Sequence, residues 1–170
     1  MIPPTLRPAT LDDVPVIAET VKQGFDTYRA FAPRGWTPPE EPIERSKIAE
    51  RLPQPDTWCL IANDGGAPAG HVALHPAREQ NGERAPIPGL AHLWMLFVRE
   101  PWWGTGLAPR LLALSVEVAA ARRYDTMRLY TPAGHARARA FYGREGWTTA
   151  GEPEYEPMLG LDLVEYRRSF

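Results

Sequence analysis

Residues 90–98 read Leu-Ala-His-Leu-Trp-Met-Leu-Phe-Val, apolar on both faces apart from His92. A strand of that kind needs cover from both sides, so it predicts the centre of a sheet with helices packed on each face. Pro101 marks its end, and a turn holding Gly104 and Gly106 follows. A helix is expected at once, over residues 109–124, with Leu111, Leu114 and Val118 on one stripe and Leu112, Val116 and Ala119 beside it. A buried strand running through a glycine turn into a helix demands a mixed α/β chain.

The flanking segments fit that architecture. Residues 5–8 suit a short first strand, and Thr10 an N-cap followed by Asp12 and Asp13 in a first helical turn. Val14, Ile17, Val21 and Phe25 then recur at helical spacing. Residues 31–42 hold four prolines with Gly35 and Trp36, which argues against regular structure, and a second helix is expected over residues 41–52. Residues 57–63 and 67–75 predict a hairpin closed by Asp64-Gly65-Gly66. Residues 77–89 are mostly polar and are expected as a mobile loop. Strands at 126–130, 147–150 and 159–166, with a short helix at 135–145, complete the order.

Length sets one domain spanning residues 1–170, with 44 % apolar residues to fill its core. The formal net charge of −2 argues against a nucleic-acid partner, whose phosphates select clustered Lys and Arg. Cys59 is the one cysteine and lies in the apolar run Trp58-Cys59-Leu60-Ile61, so it reads as core filler in a reducing, cytoplasmic compartment. No apolar run reaches the roughly 20 residues of a membrane span, and no metal is expected.

The segment Trp103-Gly104-Thr105-Gly106-Leu107-Ala108 has the chemistry of an anion cradle. The first amides of a helix lack internal partners, and the helix dipole favours negative charge beyond them. Glycine at 104 and 106 removes the Cβ atoms that would hold a phosphate away. No Gly-Lys-Ser/Thr follows, which argues against a nucleoside-triphosphate loop. A tight connection that merely uses glycine accounts for this segment equally well. The second informative stretch is residues 135–147. There Ala138, Phe141, Tyr142 and Glu145 share a helix face, Gly146 supplies a stop, and Arg137, Arg139 and Arg144 make a basic surface.

Together these segments resemble the GNAT superfamily of N-acetyltransferases. The family's pyrophosphate motif, Gln/Arg-x-x-Gly-x-Gly/Ala, lies on residues 103–108, with Gly106 and Ala108 matching and Trp103 in its first place. The later motif, Asn-x-x-Ala-x-x-x-Tyr-x-x-x-Gly-Phe, lies on His135, Ala138, Tyr142, Gly146 and Trp147, with His135 for Asn and Trp147 for Phe. Leu6-Arg7-Pro8-Ala9-Thr10, with Asp13, is similar to the family's opening.

The resemblance implies about seven strands and four helices, with strands 90–98 and 126–130 splayed to admit the pantetheine of acetyl-CoA. Leu96, Phe97 and Val98 would pair with it through their backbones. Trp103, Gly104, Thr105, Gly106, Leu107 and Ala108 would hold the diphosphate. His135, Arg137, Ala138, Phe141 and Tyr142 would complete the coenzyme site. Tyr142 is then the expected general acid, its phenol serving the departing thiol, and His92 the expected base, with His75 as a second choice or water in its place. Phe25, Tyr28, Trp36, His75 and Trp94 are candidates to line the acceptor pocket. The expected reaction is direct attack by a primary amine of a small molecule or peptide in a ternary complex. The competing readings are a non-catalytic acyl-CoA-binding module and a toxin-like enzyme acting on aminoacyl-tRNA, whose basic charge this chain lacks. A monomer and a homodimer both remain open.

Overall fold

A computed structural model describes residues 3–79 and 84–170. The described elements are β1 (Thr5–Pro8), α1 (Val14–Thr27), α2 (Glu41–Arg51), β2 (Trp58–Asp64), β3 (Ala67–Arg78), β4 (Pro86–Val98), α3 (Leu107–Ala121), β5 (Thr126–Pro132), α4 (Ala136–Arg144), β6 (Thr148–Glu156) and β7 (Leu161–Ser169). Seven strands form one sheet in the order β1-β2-β3-β4-β5-β7-β6. The β4–β5 pair alone is parallel. Such a pair needs a crossover, and α3 supplies it.

The two faces carry separate cores. Val14, Ile17, Val21 and Ile48 of α1 and α2 pack on Cys59, Ile61, Ala73 and Met95. On the opposite face Leu107, Leu111, Leu112 and Tyr142 of α3 and α4 pack on Val72, Leu74, Leu93 and Met127. This is the α/β fold with both faces of the sheet covered. Cys59 is buried, and burial pushes its thiol up to about 12, so it carries no thiolate at neutral pH. Asp13 closes the start of α1, accepting from Arg7 at 2.7 and 2.8 Å and from the Thr10 amide at 2.8 Å.

Several boundaries differ from the sequence expectation. The stretch 77–89 is not all loop: β3 runs on to Arg78, β4 begins at Pro86, and Arg78 pairs with Pro86. Residues 80–83 lie outside the described residues. Composition misled here because Pro86, Pro88 and Gly89 read as loop residues, yet they lie in β4 with Pro86 and Pro88 at its exposed positions. Helix α3 starts at Leu107, two residues before Pro109, because Gly106 turns the chain at φ 86°. Strand β6 continues to Glu156, well past residue 150.

The sheet opens at its centre. Leu90, Ala91 and His92 pair with Thr126, Met127 and Arg128, and β4 and β5 have no further register. Just beyond, the β3–β4 ladder slips: Leu74 opposes Leu93 while Ala73 opposes Met95, so Trp94 is an extra residue. A bulge of this kind bends its strand and adds twist, which carries β4 away from β5.

Candidate functional site

A cleft of about 1040 Å³ occupies the gap between the parted strands. One wall is β4 from Leu93 to Val98, another is β5 from Leu129 to Pro132, and the start of α4 closes the far side. Helix α1 approaches β4 here through Gly24. A Cβ at that position would run into the Phe97 ring, so only glycine lets the helix sit this close.

At the mouth, Gly104 and Gly106 have φ of 75° and 86°, and the space a Cβ would take is open at both. Non-glycine residues adopt that backbone only under strain. The first internal bond of α3 runs from the Arg110 amide to Gly106 O at 3.2 Å, so the amides of Leu107 and Ala108 precede it. The Thr105 amide is directed to Trp102 O at 3.4 Å, and its hydroxyl donates to the same oxygen at 2.7 Å. Thr105 thus shapes the turn instead of facing the cleft. The Leu107 side chain is core, leaving its amide alone to serve an anion.

Trp103 stands where the resembling motif has a Gln or Arg. Its indole N–H donates to Val98 O at 2.7 Å, which ties the turn to the end of β4. The Arg137 guanidinium sits 4.2 Å from its ring centre. Trp103 and Arg137 both line the cleft, as does Arg144. Arg139 turns away, donating to Tyr166 Oη at 3.3 Å and Ala133 O at 3.1 Å. These residues fit a coenzyme diphosphate: an open glycine turn, a helix N-terminus and the Arg137 guanidinium meet at one mouth, and Arg144 lines the same cleft.

Deeper in, Tyr142 is 9 % exposed, packed against Phe141, Trp147 and Tyr166, with its ring on the cleft wall. Burial raises its phenol, and the nearby Tyr28 raises it further. Tyr28 is itself raised by burial. Tyr28, Phe31 and His135 form an aromatic cluster that seats the segment after α1 on the start of α4, with Phe31 stacked on His135 at 4.9 Å. The Trp36 indole N–H donates to Leu159 O at 2.8 Å and fastens the far end of that segment to the β6–β7 turn.

The structure brings together Phe25, Tyr28, Trp94, Leu96, Phe97, Val98, Trp103, Gly104, Gly106, Ala108, His135, Arg137, Ala138, Phe141 and Tyr142 as lining of one cleft. Thr105, Leu107, Trp36, His75 and His92 are not in that lining. His92 packs between His75 and Tyr130, with ring centres 5.2 Å and 5.8 Å away. Burial holds its ring well below the usual 6.5, and His75 and Arg128 lower it further. Its ring lies outside the cleft lining, and the low proton affinity that burial gives it disfavours the base role expected of it. His75 is lowered to about 4, first by burial. Both rings serve as packing on that face.

A second recess, of about 260 Å³, lies beside the cleft and shares Tyr130 and Leu163 with it. Glu152, Glu154, Glu156 and Glu165 line it. Sequence reasoning missed this feature. The signal was the spacing of two between Glu154 and Glu156, which places both on one face of a strand; Glu152 joins them from the irregular stretch between Ala150 and Glu154. Among the described residues no group of three His, Cys, Asp or Glu is placed to hold a metal, and no helix is long and apolar enough to cross a membrane.

Comparison with known proteins follows the same lines. The model of the acetyltransferase (GNAT) family matches residues 21–147. Ribosomal-protein-alanine N-acetyltransferase from Brucella melitensis superposes with a TM-score of 0.73 at 19 % identity, covering 98 % of this chain and 99 % of its own. PaiA N-acetyltransferase from Thermoplasma acidophilum, solved in complex with coenzyme A, superposes with a TM-score of 0.73 at 16 % identity, covering 99 % of this chain and all of its own. At these identities the likeness to each structure is one of fold. No curated protein matches the chain by sequence.

Proposed function

The chain belongs to the GNAT acetyltransferase family, and from that premise we propose that it transfers an acetyl group from acetyl-CoA to a primary amine of a small molecule or peptide, by direct attack within a ternary complex. The observation that carries this reading is the cleft between β4 and β5, with the Tyr142 phenol on its wall and the glycine turn at its mouth. When bound, acetyl-CoA supplies a thioester whose carbonyl accepts the amine and whose sulfur departs.

The residues have separable tasks. The amides of Leu107 and Ala108, with Arg137 and Arg144, would hold the diphosphate. The β4 backbone from Leu93 to Val98 has no β5 partner and offers its free edge to the pantetheine as an added strand would. An amide of that edge near Leu96 stabilises the oxyanion, a contact worth about 3 kcal/mol in other enzymes. Tyr142 donates its proton toward the departing sulfur. Burial raises this phenol and makes it a weaker acid, but the same desolvation acts on the thiolate, so the donor and its acceptor rise together. Phe25, Tyr28 and Trp94 make the acceptor wall apolar and exclude water that would compete with the amine.

The test is a thiol-release screen with acetyl-CoA against small amines, amino acids, peptides and antibiotics, run beside calorimetric titration of coenzyme A. Saturable coenzyme binding with amine-dependent thiol release supports the proposal. Coenzyme binding without release for any amine favours the binding-module reading, and absent binding overturns both.

A further inference from the structure

Tyr130 and Glu165 oppose each other in the β5–β7 ladder, which puts their side chains on one face of the sheet. The Tyr130 hydroxyl donates to Glu165 Oε2 at 3.3 Å. Tyr130 lies two residues past Arg128, the last position where β5 pairs with β4, so it stands at the point where the cleft begins. It lines the cleft and the acidic recess, while Glu165 lines the recess alone. The pair therefore connects the cleft interior with a second opening to solvent.

A primary amine at neutral pH is largely an ammonium ion, with a pKa of about 8 for a peptide N-terminus and about 10 for an alkylamine, and has no nucleophilic lone pair until one proton leaves. The carboxylates on the cleft wall itself are Glu44, on α2, and Glu145, at the C-terminal end of α4. Neither is bonded to a group at the vertex of the parted strands. His92 lies outside the cleft lining.

We infer that Tyr130 and Glu165 are the proton-accepting pair on the acceptor side of the cleft, an inference that rests on the transferase reading. Tyr130 Oη takes a proton from the ammonium while its own proton passes to Glu165 Oε2. One N–H bond breaks and one O–H bond forms on the carboxylate. An ammonium and a carboxylate become a neutral amine and a carboxylic acid, and no other reactant is required. The recess then returns the proton to water. Tyr130 touches the acceptor, and Glu165 acts through it.

The surroundings suit a conduit. Burial raises the Tyr130 phenol, as does the Glu165 charge, against the opposing effect of Arg128, 5.5 Å from the ring centre. The phenol thus stays protonated at neutral pH and relays. His92 packs on it from β4 with His75 behind, Arg167 pairs with Glu165 on β7, and Glu152, Glu154 and Glu156 face the recess from β6. The apolar wall at Phe25 and Trp94 disfavours the ammonium once water is excluded, which narrows the difference in proton affinity that the carboxylate must overcome.

The experiment uses Glu165→Gln, which keeps an oxygen for the Tyr130 hydroxyl but removes the charge, and Tyr130→Phe. Probe amines are tyramine, spermidine and an alanine-initiated hexapeptide, with acetyl-CoA as donor. E165Q is expected to lower kcat/KM about 100-fold at pH 7. The deficit should shrink to under about tenfold at pH 9.5, where much of the amine arrives already neutral. In the protein without coenzyme, ultraviolet difference titration should show one tyrosine ionising at lower pH in E165Q, and that transition should vanish in Y130F. A deficit equal at both pH values, or no displaced tyrosine transition, overturns the pair. Bound coenzyme with no thiol release from any probe overturns the transferase reading itself, and the pair with it.

Discussion

The guanidinium of Arg137 rests 4.2 Å from the centre of the Trp103 ring, so α4 and the turn after β4 touch across the mouth of the cleft. Trp103 occupies the position at which the family motif carries its own Gln or Arg, and the cation arrives instead from another helix. An aromatic face orients a guanidinium without consuming its hydrogen-bond donors, which remain free for phosphate. Arg137→Ala is predicted to raise the Kd for coenzyme A about tenfold, with a smaller effect at high salt. Trp103→Ala should give a similar loss, and the double variant less than the sum, because each residue depends on the other. Calorimetric titration of the four proteins measures the coupling.

Tyr142→Phe removes the phenol and keeps the ring that packs on Trp147 and Tyr166. Turnover is predicted to fall about 100-fold, with coenzyme affinity within a factor of about two of the parent. Steady-state thiol release against a coenzyme titration separates these outcomes. Unchanged turnover would remove Tyr142 from the chemistry.

Gly24→Ala is predicted to destabilise, although alanine in a helix interior is ordinarily better than glycine by about 1 kcal/mol. The new methyl meets the Phe97 ring, and either that ring or α1 must move. Both line the cleft, so coenzyme affinity should fall alongside a lower melting temperature. A second substitution, Phe97→Leu, should restore part of the lost stability, which thermal melts of the three variants will show.

Stability should fall on mild acidification. His71 is fully buried, and burial lowers its ring to about 3, with Arg99 adding to the effect; His75 is lowered to about 4. The unfolded chain takes up these protons near 6.5, whereas the folded chain does not. The stabilisation is therefore complete above 6.5 and is lost as pH falls from there toward 3. Each such histidine costs about 2 kcal/mol by pH 5. Denaturant midpoints at pH 7.5 and pH 5 measure the drop, and His71→Leu should make it shallower.

Much of the architecture is legible in the sequence because β4 is apolar on both faces and its turn and helix follow directly. The glycine turn and the Tyr142 helix are local patterns, and the structure does bring them to one cleft. What the sequence hides depends on long-range register. The spacing of Glu154 and Glu156 has meaning only once β6 pairs with β7, and the Tyr130–Glu165 bond joins positions 35 residues apart. His92 shows the opposite case. A lone polar residue in an apolar strand suggests chemistry, yet the bulge at Trp94 brings the cleft to the strand only after His92, so its ring packs beneath its neighbours.

The parting of β4 from β5 divides one strand into two regimes. From Leu90 to His92 the strand is paired on both sides, and beyond it only β3 pairs with it. Amides of the first part should exchange with deuterated water only when the whole molecule opens, while the inner half stays answerable to whatever fills the cleft. Occupancy can then be read from a handful of backbone protons, before any product has been made.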